Sequence, residues 1–525
     1  MQLSRALRWV FIRPRTVSPY YDPEIQEPLG LEALAADRRA EGDSVLLLDA
    51  ALDGHDDVRL ARRAAAFGSD AIGFSLATAQ DLHSALTIHS EASLIIARSR
   101  QRVHWVAGGN FVTSEPEHAD RLLPQDWRLV RGEGELGLAS LVREWSEGRD
   151  GPRVQVGRAV ACLDDLPIAE RPYARQILAN GWSFNLQGSR GCSGACHYCA
   201  SPGLVLTHGR RWRGRSCSLL VEEVAQLQSR YGARCFNVVD EDFLGPRVGA
   251  RQRALDLATA ISRRQLHVSF GIQVRPASLD PEIIDALADA GVHYVFFGME
   301  SDSAADLRAW GRPSVPAAWE YVDYLRARGV DVNVGALLFH RRSALSSVRR
   351  FAQALQARDL LDYRTATNRM DAIPGSALYA DERHAGRLNP QQPGPQTVPF
   401  ADPTMGNAYA DICQSLAPLG PPSMHAVCAL PALSARERTE GYAGPDLKAL
   451  RSVIASAQAA VAEVFFAVLE IHETKVEDKV RNARVLELRA HSFERALGLV
   501  NTLVQVGLAT SFDQLREAIR IDAGL

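Results

Sequence analysis

The chain has 525 residues, 46% of them hydrophobic, and a formal net charge of −3. That length accommodates two to four domains of ordinary size, each with a buried core. The mildly acidic balance excludes a general affinity for nucleic acid or anionic membrane, and the 8 cysteines are not spaced as a disulfide framework. Residues 1–15 carry an apolar run too short, and too broken by Arg8, for a signal peptide. The most apolar long run, residues 453–471, contains Gln458, Glu463 and Glu470, which predicts a buried helix rather than a membrane span.

Residues 1–150 alternate between short apolar runs and helical spacing. Strands are expected at 7–12, 44–48, 70–75, 103–107 and 127–130, with helices such as 28–41 and 58–67 between them. That alternation predicts parallel βαβ units in a doubly wound α/β sheet. Ligands of such sheets bind beyond the carboxyl ends of the strands. Here those ends carry Ser75 and Thr78, then Gly108, Gly109 and Asn110, then Gly132 and Glu133. Glycines there admit a bulky ligand close to the backbone, although ordinary turns use glycine too. Residues 151–181, rich in proline and aspartate and entered through a glycine-rich stretch, are expected to be a linker. Cys162 within it stands alone.

Residues 182–380 open with a strand at 184–187 that delivers QGSRGCSGACHYCAS. Cys192, Cys196 and Cys199 stand in a C-x3-C-x2-C spacing among glycines that let the loop turn sharply. Three thiolates can hold three irons of a [4Fe–4S] cluster and leave the fourth open to a substrate-like molecule. The alternative is a zinc site, for which His197 is the nearby fourth ligand. Either use of thiolates argues for a reducing compartment, and a soluble cytoplasmic protein is expected. Further strands are expected at 235–239, 268–274, 294–297, 330–338 and 363–367, with helices between them. Six strand–helix units are too few to close an eight-stranded barrel. Their strand ends carry Asp240, Glu241 and Asp242, then Arg275, then Glu300. The basic stretch 209–216 by itself could contact phosphate, but one such patch in an acidic protein is weak evidence for nucleic acid.

Residues 381–525 begin with a proline- and glutamine-rich stretch, 388–422, expected to be an extended connection or covering loop. Helical periods follow at 447–473, 477–497 and 512–521, predicting a small helical domain. Cys413, Cys428 and His425 form no recognisable site.

With Tyr198 just before the last cysteine, the loop resembles the signature of the radical S-adenosylmethionine (SAM) enzyme family, C-x3-C-x-aromatic-C. The N-terminal region is similar to the B12 (cobalamin)-binding domain that precedes the radical SAM domain in one class of these enzymes. The matching pieces are PLGLEALAA at 28–36, Asp49, the GGN turn and VRGEGE at 130–135. The resemblance implies a Rossmann- or flavodoxin-like B12 domain, a partial (β/α)6 radical SAM barrel and a small C-terminal helical domain. The cofactors it implies are a [4Fe–4S] cluster on Cys192, Cys196 and Cys199, SAM and cobalamin. By the same resemblance, Arg275 would meet the SAM carboxylate, Glu300 the ribose, Asp240 or Glu241 the amino group, and Tyr198 would flank the cofactor. Ser75, Thr78, Gly108, Gly109, Asn110, Gly132 and Glu133 would surround cobalamin. Gly335 and Pro374-Gly375 would contact adenine or close the barrel. Trp212, Arg213, Arg215 and Ser216 would close over the cluster or face the corrin.

The implied chemistry is reductive cleavage of SAM to a 5′-deoxyadenosyl radical that activates an unactivated carbon, followed by methyl transfer from cobalamin. Partners would be a small-molecule substrate and an electron donor such as flavodoxin or ferredoxin. The sequence departs from the class in one respect. The loop after the first strand has no histidine in a D-x-H-x-x-G setting to ligate cobalt, and Asp53-Gly54-His55 follows the second strand instead. A radical dehydration, epimerisation or rearrangement, with the N-terminal domain as scaffold, is therefore a second reading. A non-catalytic zinc protein is a third.

Overall fold

The computed structural model describes residues 6–16, 26–99, 102–204, 211–440, 445–474 and 476–505. The helix expected at 512–521 lies outside the described residues.

The N-terminal sheet contains β1 (Arg8–Arg13), β2 (Ser44–Asp49), β3 (Ala71–Ser75), β4 (His104–Gly108), β5 (Trp127–Gly132) and β6 (Val154–Gly157). Its order is β2-β1-β3-β4-β5-β6 and every neighbouring pair is parallel. Trp9, Val10, Phe11 and Ile12 of β1 are all buried, as a strand covered by helices on both faces requires. Helices Asp57–Ala66 and Leu82–Ser99 cover one face, where Val10, Ile12, Ile72 and Phe74 meet Leu60, Ala64 and Ile88. Trp9, Phe11, Val106 and Val130 face helices Leu29–Ala40 and Gly134–Ser146 on the other. Strand β6 falls within the span expected to be a linker and forms the sheet's edge.

The central sheet contains β7 (Phe184–Leu186), then, beyond the two short strands β8 (Ser189–Gly191) and β9 (Trp212–Gly214), the strands β10 (Cys235–Val238), β11 (Ser269–Val274), β12 (Val292–Glu300) and β13 (Asp331–Ala336). The order β13-β12-β11-β10-β7 is parallel throughout, so each strand lies beside the one before it in this sheet. The strand expected at 363–367 is instead the helix Tyr363–Thr367. Asp362 caps it by accepting from the Thr365 amide at 2.7 Å, while the Thr365 hydroxyl accepts from the Asp362 amide at 2.8 Å. This reciprocal capping outweighs the strand preference of a run with two threonines. The sixth strand position is marked only by a parallel bridge between Phe339 and Arg369.

The C-terminal region packs helices Pro403–Leu416, Gly420–Glu440, Pro445–Glu473 and Asp478–Gln505 against the barrel. The first of these corrects the expectation of an extended connection through 388–422. Asp402 caps it, Pro403 sits where a helix tolerates proline, and Met405, Ala408, Ile412 and Leu416 form its buried stripe. Helix Leu447–Glu473 is long and apolar enough to cross a membrane, yet 50% of its apolar window is buried inside the protein. His293 fastens helix Gly420–Glu440 to the barrel. Its Nε2 donates to the Pro431 carbonyl at 2.8 Å and its Nδ1 accepts from Ser269 Oγ at 2.8 Å.

The two sheets are joined through Arg171. Its guanidinium reaches Glu27 and Glu32 at 3.2 Å each, Glu223 at 2.7 Å and the Asn185 carbonyl at 2.8 Å. All these side chains are buried. Burial pushes the Glu32 carboxyl up to about 8 from its ordinary 4.5, against the pull of Arg171. The folded chain thus holds a proton there that the unfolded chain has released. The contribution is full below about pH 4.5 and is lost as pH rises through about 8. E32Q is expected to flatten the fall in denaturation midpoint across that window. R171M is expected to cost about 3–5 kcal/mol in urea denaturation, because it strands buried carboxylates.

Candidate functional site

Strand β8 pairs antiparallel with β9, which sets the base of the cysteine loop beside the basic stretch. Within the described part of that stretch, Trp212, Arg213 and Arg215 are turned inward. Trp212 Nε1 donates to the Asp242 carbonyl at 2.8 Å, Arg215 binds Glu223 at 2.6 Å, and Arg213 binds Glu133 and the Val160 carbonyl. These contacts hold the loop and commit Arg213 and Arg215 to the interior, while Arg211 stays exposed. Burial raises the Cys192 thiol to about 12, helped by Asp242, and burial likewise raises Cys199. Cys196 adds to both shifts, so the three sulfurs sense one another. The Gly194 amide donates to Cys192 Sγ at 3.3 Å, and Arg312 Nη1 approaches Cys196 Sγ at 3.4 Å. Donors aimed at sulfur suit thiolates that carry negative charge in an iron–sulfur site. His197 Nε2 meets Asp381 at 2.8 Å.

The strand ends close around this loop. Glu300 ends β12 with φ +64°, in the left-handed region, where the register to β13 shifts. A glutamate held there is strained, and such strain concentrates at functional sites. Burial raises its carboxyl, against Arg312 at 3.6 Å. Arg312 also donates to Tyr198 Oη at 3.1 Å and to the Gly298 carbonyl at 2.5 Å. Arg275 donates to Ser193 Oγ at 2.6 Å, while its buried Nε has no partner among the described residues. Arg275, Gly298 and Arg312 border a cavity of about 120 Å³. An unpaired guanidinium donor beside an open space fits a carboxylate ligand.

Asp240 does not open onto this space. It accepts from the Gly188 amide at 2.8 Å and Ser189 Oγ at 2.7 Å, and burial pushes its carboxyl up to about 6. It braces the loop rather than offering itself to an amine. Glu241 is half-buried and makes no hydrogen bond or ion pair among the described residues. Asp242 was missed as a site residue. It is fully buried, accepts from Ser193 Oγ at 2.7 Å and lies 3.7 Å from both Cys192 Sγ and Arg275. Arg312 was also missed, because it follows a short helix with no motif around it. Gly375 packs on Ala200 and against Gly203, at the end of the cysteine loop.

A second cavity, about 340 Å³, opens at the carboxyl ends of β3, β4 and β5. Ser75, Gly108, Gly109, Asn110, Gly132 and Glu133 line it as expected, and so do Gln187 and Arg190 from the cysteine loop. Phe11, Leu31, Leu34 and Leu138 make an apolar floor, which suits the flat, largely apolar face of a corrin. Gly109 has φ +100°, and a Cβ there would stand 2.5 Å from the Leu76 carbonyl oxygen. Thr78 is not in the lining; its hydroxyl caps the turn at 79–81. Glu133 touches the cavity but is committed to Arg213, to Arg190 at 3.3 Å and to the Val160 amide at 2.7 Å. Burial would raise its carboxyl, yet those partners hold it below the usual range. No histidine lines the cavity among the described residues.

Residues 186–348 match the radical SAM superfamily and residues 23–142 match the B12 binding domain. The chain belongs to the radical SAM superfamily, in the class with an N-terminal B12-binding domain. Those two domain matches support the cofactors expected from sequence: a [4Fe–4S] cluster with SAM, and cobalamin. An uncharacterized methyltransferase of Pyrococcus horikoshii is 29% identical over 306 residues, 55% of this chain and 64% of the relative. The hopanoid C-3 methylase of Methylococcus capsulatus is 23% identical over 333 residues, 59% of this chain and 61% of the relative. The chain thus spans about three-fifths of the length of these relatives. The solved structure of the cobalamin-dependent SAM radical enzyme OxsB, with aqua-cobalamin bound, superposes with a TM-score of 0.78 at 16% identity, over 99% of this chain and 84% of that one. That likeness extends the shared fold through the C-terminal helices. G109A is expected to destabilise the N-terminal domain by about 1–3 kcal/mol in chemical denaturation, since it adds a strained φ to an overlap with backbone.

Proposed function

We propose that the chain is a cobalamin-dependent radical SAM methyltransferase that acts on an unactivated carbon of a small molecule in specialised metabolism. The carrying observation is that Gln187 and Arg190, from the loop that presents the cysteines, also line the cavity on the N-terminal sheet. The two cofactor sites therefore share a wall.

When the cofactors are bound, they supply reductive cleavage of SAM and a transferable methyl group. The residues of the chain divide the remaining work. Cys192, Cys196 and Cys199 hold the cluster, with the Arg312 cation offsetting negative charge at Cys196. Arg275 receives the SAM carboxylate and Glu300 the ribose, with Tyr198 fixed between Arg312 and Trp310. Ser75, Gly108, Gly109, Asn110 and Gly132 would cradle cobalamin, and the floor of Phe11, Leu31 and Leu34 would exclude water from the cavity. On this reading residues 1–150 bind cobalamin, 182–380 form the radical SAM barrel and 381–525 shape the substrate site. A cytoplasmic location and a flavodoxin- or ferredoxin-type electron donor complete the proposal.

The absence of histidine from the described lining favours one alternative, in which the N-terminal domain binds no cobalamin and the reaction is a radical rearrangement or dehydration. Anaerobic reconstitution with iron, sulfide and hydroxocobalamin separates the two. About one cobalt per chain after desalting is expected, beside about four irons. An intact cluster that cleaves SAM with no cobalt retained would move the assignment to the alternative. C196A is expected to abolish 5′-deoxyadenosine formation, measured by liquid chromatography; persistence of that product would refute the radical reading.

A further inference from the structure

The interior of the barrel holds a third cavity, about 350 Å³, whose lining includes none of the residues assigned above to a cofactor. Asn237 of β10, Gly271 of β11, Tyr294 of β12 and Asn333 of β13 border it, with Met424 and Cys428 from helix Gly420–Glu440. Successive strand residues alternate between faces, so Tyr294 and Phe296 share the interior face of β12 with Glu300. A Cβ on Gly335 would lie 3.1 Å from the Phe296 ring and 3.3 Å from Glu300 Oε1, which puts all three on one wall. Phe296 stands four residues before Glu300 on β12.

One charge enters this cavity, that of Arg364. Its guanidinium lies 5.2 Å from the Phe296 ring centroid and one nitrogen donates to Asn333 Oδ1. The lining contains no carboxylate, and Arg364 forms no ion pair among the described residues. Arg171, Arg190, Arg213, Arg215 and Arg312 each face a carboxylate instead. A half-buried cation whose direct contacts are an amide oxygen and an aromatic face, with Glu300 sensing it only at longer range, retains unused donor capacity, and the planar fork of arginine matches carboxylate or phosphate.

We propose that Arg364 anchors an anionic group, carboxylate or phosphate, of a substrate held in the barrel interior, with an apolar or aromatic body against Phe296 and Met424. The proposal rests on the function assigned above and adds the chemical class of the substrate. The anion lies deep in the barrel and the reacting carbon lies toward Glu300 and the cysteine loop. Helix Gly420–Glu440 closes the interior over this ligand.

The test uses three probes of one skeleton: phenyl phosphate, benzoate and benzyl alcohol. Each is titrated calorimetrically into the full chain with its cluster reconstituted. At least one anionic probe is expected to bind about tenfold or more tightly than the alcohol, and the stronger of the two identifies the group. R364M is expected to erase that preference and R364K to keep part of it. Equal binding of all three probes, no measurable binding at millimolar concentration, or a preference that survives R364M would overturn the proposal. The wild-type comparison decides if R364M does not fold. Formation of 5′-deoxyadenosine by the wild type, followed in parallel, separates the two levels. Its loss would count against the radical function, whereas its presence with no anion preference would count against Arg364 alone.

Discussion

Two sheets, each with its ligand edge at the carboxyl ends of parallel strands, are useful to one another only if those edges face. Arg171 enforces that orientation. It comes from the connection between the sheets and binds Glu27 and Glu32 on the N-terminal side, Glu223 and the Asn185 carbonyl on the barrel side. Burying such groups is a poor source of stability. Apolar contacts across the same joint would tolerate a slip of a residue, whereas a buried carboxylate that loses its cation does not. Arg190 and Arg213 repeat the device nearer the cofactors, where both converge on Glu133. Ion pairs therefore register the domains, and the continuous apolar core that includes Trp9, Phe236 and Phe465 supplies the cohesion.

The cysteine loop sits at the focus of that arrangement and takes unlike electrostatic surroundings at its sulfurs. Cys192 lies against the Asp242 carboxylate and Cys196 against the Arg312 cation. Within a low-dielectric site such neighbours act strongly. The two charges are themselves tethered, Asp242 toward Arg275 and Arg312 toward Glu300. The groups proposed to contact SAM thus also set the field at the sulfurs. Occupation of Arg275 or Glu300 by a ligand would alter the balance of charge around the cysteines, which couples binding to the electronic state of anything the cysteines hold.

Local signals were legible in the sequence. The cysteine spacing, the alternation of strand and helix, and the glycines at 108, 109 and 132 all act within a few residues, and the fold puts them where those signals indicate. Long-range commitments were not legible. Asp240 and Thr78 look like ligand-binding residues at strand ends, yet Asp240 is consumed by Gly188 and Ser189, and Thr78 by the turn beside it. Arg213 looks like surface charge until Glu133, 80 positions away, is found against it. The helix Tyr363–Thr367 was hidden for a different reason. Its threonines favour a strand, and only the reciprocal pairing of Asp362 with Thr365 shows that the turn closes as a helix. Helix Pro403–Leu416 was masked by the proline-rich composition just before it.

The C-terminal helices gave no motif because their task is one of shape. Helix Gly420–Glu440 contributes Met424, Val427 and Cys428 to the barrel cavity and is fixed there by His293. Burial holds the His293 imidazole down at about 4, so it is neutral at ordinary pH, with Nε2–H directed at the Pro431 carbonyl and Nδ1 accepting from Ser269. A neutral ring can make both bonds at once, whereas a protonated one would have to donate at Nδ1 as well. The helix that closes the barrel is therefore tied by directional bonds, from His293 to the Pro431 carbonyl and from Ser434 to Asp331 at 2.7 Å, while the residues it offers the interior are soft and apolar. Specificity in such a site comes from one fixed charge and an adaptable wall. The charge is Arg364, and its value to a ligand depends on the wall excluding water and leaving no carboxylate to compete for it.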